Sequence, residues 1–136
     1  MPALHAVHTV DPRKEIVKKI GKQLDQVKLF GNHILVAVYE RPKTAQYGTL
    51  TLDLPDATRG EDKYQGKVGL VVALGPQAYV DDEQTQFHGQ KVEEGDWVVF
   101  KPSDGWQVTL TGGQVLCRVL VESQIRMKIG SPDAVW

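Results

Sequence analysis

The chain has 136 residues, of which 41% are hydrophobic, enough for one buried core and not for two. Its 16 basic and 17 acidic residues leave a formal net charge of −1, so no long-range field gathers nucleic acid or an anionic membrane. A single cysteine, Cys117, excludes an internal disulfide, and no apolar run approaches the roughly 20 residues of a membrane helix. The opening MPALHAVHTVDPRKE lacks the apolar stretch of a secretion signal, so the expectation is a soluble protein made in the cytoplasm.

The first element in chain order is a short helix over residues 12–20. Asp11 is placed to cap it, Pro12 to open it without losing a hydrogen bond, and Gly21 to close it. Ile16, Val17 and Ile20 form its apolar stripe, with Arg13, Lys14, Lys18 and Lys19 toward water. A helix this short needs a surface to lie on, its own domain or a neighbouring subunit.

From Asn32 onward, β-branched runs alternate with Gly, Pro and Asp, and the pattern predicts strands at 33–41, 49–54, 66–74, 96–101, 106–110, 115–121 and 124–129. No amphipathic helical stretch separates them, so the fold class is all-β, a small barrel or sandwich. Gly66, Gly69, Gly75 and Gly95 stand where strands bend, turn or approach closely. Ser103-Asp104-Gly105 and Thr111-Gly112-Gly113 read as hairpin connections, with Asp104 expected to cap its own backbone. The domain organisation is an N-terminal arm over 1–30, a barrel over 31–130 and a tail over 131–136.

Two polar segments interrupt the strands. In the first, Pro42 to Gln65, Leu50, Leu52 and Leu54 recur at period two and present one apolar edge if extended, either an edge hairpin over the barrel or a partner-binding loop. The second, Pro76 to Glu94, carries Asp81-Asp82-Glu83 and reads as an exposed hairpin with a solvated tip.

Catalytic signatures are missing: there is no GxGxxG, P-loop, GxSxG, HExxH or CxxC. His5 and His8 are a lone pair without a third ligand, and His33 and His88 read as strand-rim and turn residues. Asp53, Asp56, Glu61 and Asp62 do not have EF-hand spacing, and Cys117, inside VLCRVL, reads as a buried inert thiol. No enzyme activity, cofactor or metal is expected. Trp97 and Trp106 flank Phe100 and read as core or barrel-end packing, whereas Trp136 at the terminus reads as an anchor in a neighbour's pocket.

The order of parts from about His33 to Ile129 resembles the GroES-like co-chaperonin family. The parts are HILVAVYER, a long loop with a short apolar triplet, the G-x-V-x-x-V-x-A-x-G strand from Gly66 to Gly75, a variable segment, the V-x-x-G-D-x-V-x-F strand from Val92 to Phe100, and a final pair from Leu116 to Ile125. The resemblance implies a small barrel that assembles into a ring, of seven in the family, with subunit ends pairing across it. It also implies that residues 43–64 correspond to the family's mobile loop and that Leu50-Thr51-Leu52 lies near the triplet that inserts into a chaperonin.

A GroES-like barrel with added arms also looks like proteins of tailed bacteriophages and prophages. Two functions then stand open. One is a virion protein, a capsid cement or decoration protein whose arms and Leu50/Leu52/Leu54 edge clamp the major capsid protein and neighbouring copies. The other is a phage-encoded co-chaperonin that caps a host chaperonin in the host cytoplasm. Both readings make the protein a homo-oligomer that binds protein alone, through Leu50, Leu52, Leu54, Ile16, Ile20 and Trp136.

Overall fold

The computed structural model describes residues 4–6, 11–40, 44–47, 50–53, 66–110 and 115–135, with the backbone alone for 4–6, 44–47 and 50–53. Along the chain lie β1 (Leu4–Ala6), α1 (Pro12–Ile20), a 3-10 segment (Gly21–Gln26), β2 (His33–Val38), β3 (Thr44–Tyr47), β4 (Leu50–Asp53), β5 (Val68–Leu74), β6 (Trp97–Phe100), β7 (Trp106–Leu110), β8 (Val115–Val121), a 3-10 turn (Glu122–Gln124) and β9 (Ile125–Ile129). The mostly-β class with one short N-terminal helix holds. Thr111-Gly112-Gly113 lies outside the described residues.

The main sheet is antiparallel, in the order β7-β8-β2-β5-β6-β9. β2 lies inside it, paired with β5 on one side and β8 on the other, and its register with β5 shifts between Leu35 and Val36. A second shift falls between Val99 and Phe100 where β6 meets β9. Such bulges bend a strand and increase its twist, which lets one sheet wrap around a core. Two glycines permit the close packing and the tight turn this needs. A Cβ on Gly69 would collide with Val36 Cγ1 and lie 2.8 Å from the Ala37 carbonyl oxygen. Gly95, at φ +91°, makes the turn into β6, where the Asp96 carboxylate accepts from the Glu93 backbone N–H at 2.8 Å.

Both faces of this sheet are covered. On one, Ile34, Val36, Val38, Val71, Val98, Phe100, Leu116 and Leu120 pack with Val92. On the other, Leu35, Ala37, Tyr39, Leu70, Val72, Trp97 and Cys117 meet Ile20, and Ile16, Leu24, Val27, Leu29 and Val135 close around them. The helix therefore lies on its own domain. Its ends are those the residue types dictate: Asp11 accepts from the Arg13 backbone N–H at 2.9 Å, and the Gly21 N–H donates to the Val17 carbonyl. Val17, by contrast, is exposed.

Residues 76–94 form no strand, contrary to the expected hairpin. Asp82 Oδ1 accepts from the backbone N–H of Gln84 and Thr85, and Asp81 Oδ1 from that of Phe87, so these carboxylates organise the segment rather than decorate its tip. Tyr79 and Phe87 meet edge to face with centroids 5.3 Å apart, and the Tyr79 N–H donates to Glu122 Oε2 at 2.9 Å. Local capping wins over ladder formation here.

Candidate protein-docking surfaces

The segment singled out for partner binding is itself partly strand. β3 and β4 form an antiparallel hairpin with Thr44 opposite Asp53 and Tyr47 opposite Leu50, which leaves a two-residue connection. Positions 50 and 52 are two apart in β4 and so share a face of the hairpin. Leu54, Asp56, Glu61 and Asp62 lie outside the described residues. β1 adds to the hairpin, pairing Leu4 with Tyr47, His5 with Gln46 and Ala6 with Ala45. The sequence reading missed β1 and β3, because three and four residues without apolar alternation carry no periodic signal.

The helix residues proposed as partner contacts are occupied within the subunit. Ile20 is 1% exposed in the core and Ile16 packs against the same cluster, so Ile20 presents nothing to a neighbour. The tail is held similarly. Pro132 is buried, Val135 joins the core, and the Tyr39 hydroxyl donates to Asp133 Oδ1 at 2.6 Å. Trp136 lies outside the described residues. Residues 12–29 and 132–135 thus contribute to packing on the barrel, while β1 pairs with β3 in the separate smaller sheet.

The exposed apolar groups lie elsewhere. Trp106, expected to pack, is 78% exposed on β7, while Trp97 is buried edge to face against Tyr39 at 5.6 Å. Trp106 and His33 line a groove of about 350 Å³ with Gly105, Val119, Val121 and Gln124. His33 is a satisfied rim residue, its Nδ1 2.7 Å from the Phe30 carbonyl oxygen. A larger groove, about 570 Å³, runs between the 76–94 segment and β9, with Tyr79, Phe87, Lys91, Ile125, Met127 and Lys128 in its walls. β7 and β9 end the six-stranded sheet. Their outer edges carry backbone groups that an incoming strand can pair with.

Three groups among the described residues are shifted from their ordinary values, all by burial first. Burial pushes the Cys117 thiol up to about 12, and burial followed by the Glu122 charge raises the Tyr79 hydroxyl to about 12. Arg118 was unremarked in the sequence, although a cation inside VLCRVL is a visible anomaly. It is buried over the Phe100 ring at 5.9 Å and donates from Nη1 to the Asp104 carbonyl at 2.9 Å. Burial lowers its pKa and Asp104 offsets part of that. The Asp104 carboxylate lies 3.4 Å from Arg126 Nη2, so it ties the turn to β9. His88 sits exposed in a turn at φ +55°. Among the described residues, no three His, Cys, Asp or Glu side chains converge in a way that could hold a metal, and no helix is long and apolar enough to cross a membrane.

Among the described residues, a bulged antiparallel sheet ends in β7 and β9, and the β3–β4 hairpin lies between β2 and β5 in the chain. The sequence profile of the chaperonin 10 kDa subunit matches residues 26–129, from the end of the first 3-10 segment through β9. The chain belongs to the chaperonin 10 family. This is the GroES-like co-chaperonin family, whose members are non-enzymatic chaperone components. The chaperonin 10 match leaves α1 and the 130–136 tail outside it. No curated protein matches the chain significantly.

Proposed function

We propose that the protein is a co-chaperonin that caps a chaperonin through the 43–64 segment. The observation that carries this reading is the extent of the family match, residues 26–129, a range that contains the six-stranded sheet and the β3–β4 hairpin. Leu50 and Leu52 are the proposed contacts, with Leu54 completing the apolar edge. The chemistry asked of them is modest: each copy inserts a small apolar element, and a ring multiplies weak contacts into a firm cap. The outer edges of β7 and β9, which pair with no other strand among the described residues, are available for subunit assembly, and the partner is protein, with no nucleic acid or membrane.

The capsid-cement reading rested on termini that reach for neighbours. Ile20 buried in the core and Asp133 held by Tyr39 remove that motive from the described parts, and the family match favours the folding factor. A phage source, and work in a host cytoplasm, belong to the proposal.

The decisive experiment measures the mass of the free oligomer and its nucleotide-dependent binding to purified chaperonin. A closed ring that binds, and that loses binding in Leu50→Asp or Leu52→Asp while keeping its native circular dichroism, is the expected result. A monomer or dimer that binds no chaperonin overturns the reading. Recovery of the protein as a stoichiometric component of purified virions would restore the cement function.

A further inference from the structure

The described strands fall into two sheets that share none, and the smaller one is built from distant pieces of chain in the order β1-β3-β4. β3 and β4 alone would be a two-stranded hairpin of four residues a side, which is marginal in water; three strands are the ordinary minimum for a sheet that holds its shape. The third comes from Leu4, His5 and Ala6, opposite Tyr47, Gln46 and Ala45. Positions 7–10 alone separate β1 from the Asp11 cap, and α1 is fixed on the barrel through Ile20. A strand on so short a tether, anchored at its far end, meets β3 at a high effective concentration.

We infer that β1 is a resident third strand that holds the β3–β4 hairpin folded, so that the first ten residues set how well the hairpin captures its partner. This deepens the co-chaperonin reading and rests on it for the identity of that partner. Binding by a free loop loses affinity to the ordering of its backbone; a loop already paired along β3 has less to order. The N-terminus thus acts on the docking element by shape, and it occupies one edge of the hairpin, while among the described residues no strand pairs with the other edge of β4.

Two variants of the full-length ring test this, one lacking residues 1–10 and one with Leu4→Pro, His5→Pro and Ala6→Pro, since proline cannot donate to a ladder. Both retain Asp11 and α1. Amide hydrogen exchange at positions 44–47 and 50–53 is read without chaperonin, and chaperonin titration with nucleotide is read separately. The expected result is loss of protection in both variants and binding weakened by at least about tenfold, the scale of one or two backbone hydrogen bonds. Unchanged protection in either variant overturns the inference, as does lost protection with binding equal to or tighter than that of the intact chain. If the intact chain binds no chaperonin but its variants lose protection, the co-chaperonin reading falls and the strand's hold on the hairpin is upheld.

Discussion

Tyr39 and Asp133 stand 94 positions apart in the chain and are joined by a 2.6 Å hydrogen bond from the phenol to the carboxyl oxygen. Tyr39 is 6% exposed and also meets Trp97 edge to face, so the bond fastens the C-terminal tail to a buried aromatic pair. Tyr39→Phe keeps the ring and removes the donor. We expect it to cost about 1–2 kcal/mol in urea unfolding, and a double-mutant cycle with Asp133→Ala to return a coupling of at least about 0.5 kcal/mol. Independent, additive effects would mean that the tail is not held this way.

Gly69 tests the tight packing of β2 on β5. Gly69→Ala places a methyl group against Val36 Cγ1 and the Ala37 carbonyl oxygen, and backbone cannot yield as a side-chain tip can. The expected loss is about 2 kcal/mol or more, read as a lower denaturation midpoint. Gly130→Ala, where nothing lies within 4 Å, is the control and should change little.

Cys117 makes stability fall in alkali. Its thiol keeps its proton to about pH 12 in the folded chain and loses it from the ordinary value of 9.0 when unfolded. Between those limits the unfolded state binds fewer protons than the native state, so stability drops as pH rises, by up to about 1.4 kcal/mol per unit. Tyr79, raised from 10.0 to about 12, adds to the slope above pH 10. Denaturant titrations from pH 8 to 11 should show a shallower decline for Cys117→Ala than for the parent. A thiol reagent at pH 8 should label Cys117 no faster than the protein opens.

The two strand tryptophans should separate cleanly. Trp97→Ala empties a site that is 3% exposed and should cost about 3–5 kcal/mol. Trp106→Ala removes a side chain 78% exposed and should leave the unfolding midpoint within about 0.5 kcal/mol of the parent. Acrylamide quenching checks the geometry directly, because Trp106→Phe should abolish most of the readily quenched fluorescence of the described pair.

These contrasts show which parts of the fold a sequence carries openly. The helix could be read to the residue because Asp11, Pro12 and Gly21 act on their immediate neighbours. The six strands of the main sheet were legible because β2, β5, β6 and β8 are apolar runs and β7 and β9 are β-prone stretches, most of them bounded by turn residues. β1 and β3 were not: both are short and lack apolar alternation, and β1 takes its conformation from a partner some forty positions away. Trp106, expected to pack, and Arg118, for which no place was expected, are likewise set by their surroundings in the fold. Edge position leaves the indole in water, and the Phe100 face with the Asp104 carbonyl gives the guanidinium a berth inside. For the docking surface, the period-two leucines at 50 and 52 correctly announced a strand, but nothing local announced that the N-terminus would lie beside it.

The central place of β2 has a consequence for biosynthesis. One flank of β2 pairs with β8, which ends at Val121, so that edge stays open until β8 has left the ribosome. A nascent fragment ending before β8 also lacks Leu116, Cys117 and Leu120, which pack in the two clusters that contain β2, so folding depends on long-range pairings that close late. A stalled or truncated translation product ending before residue 115 would leave one edge of the apolar strand β2 unpaired.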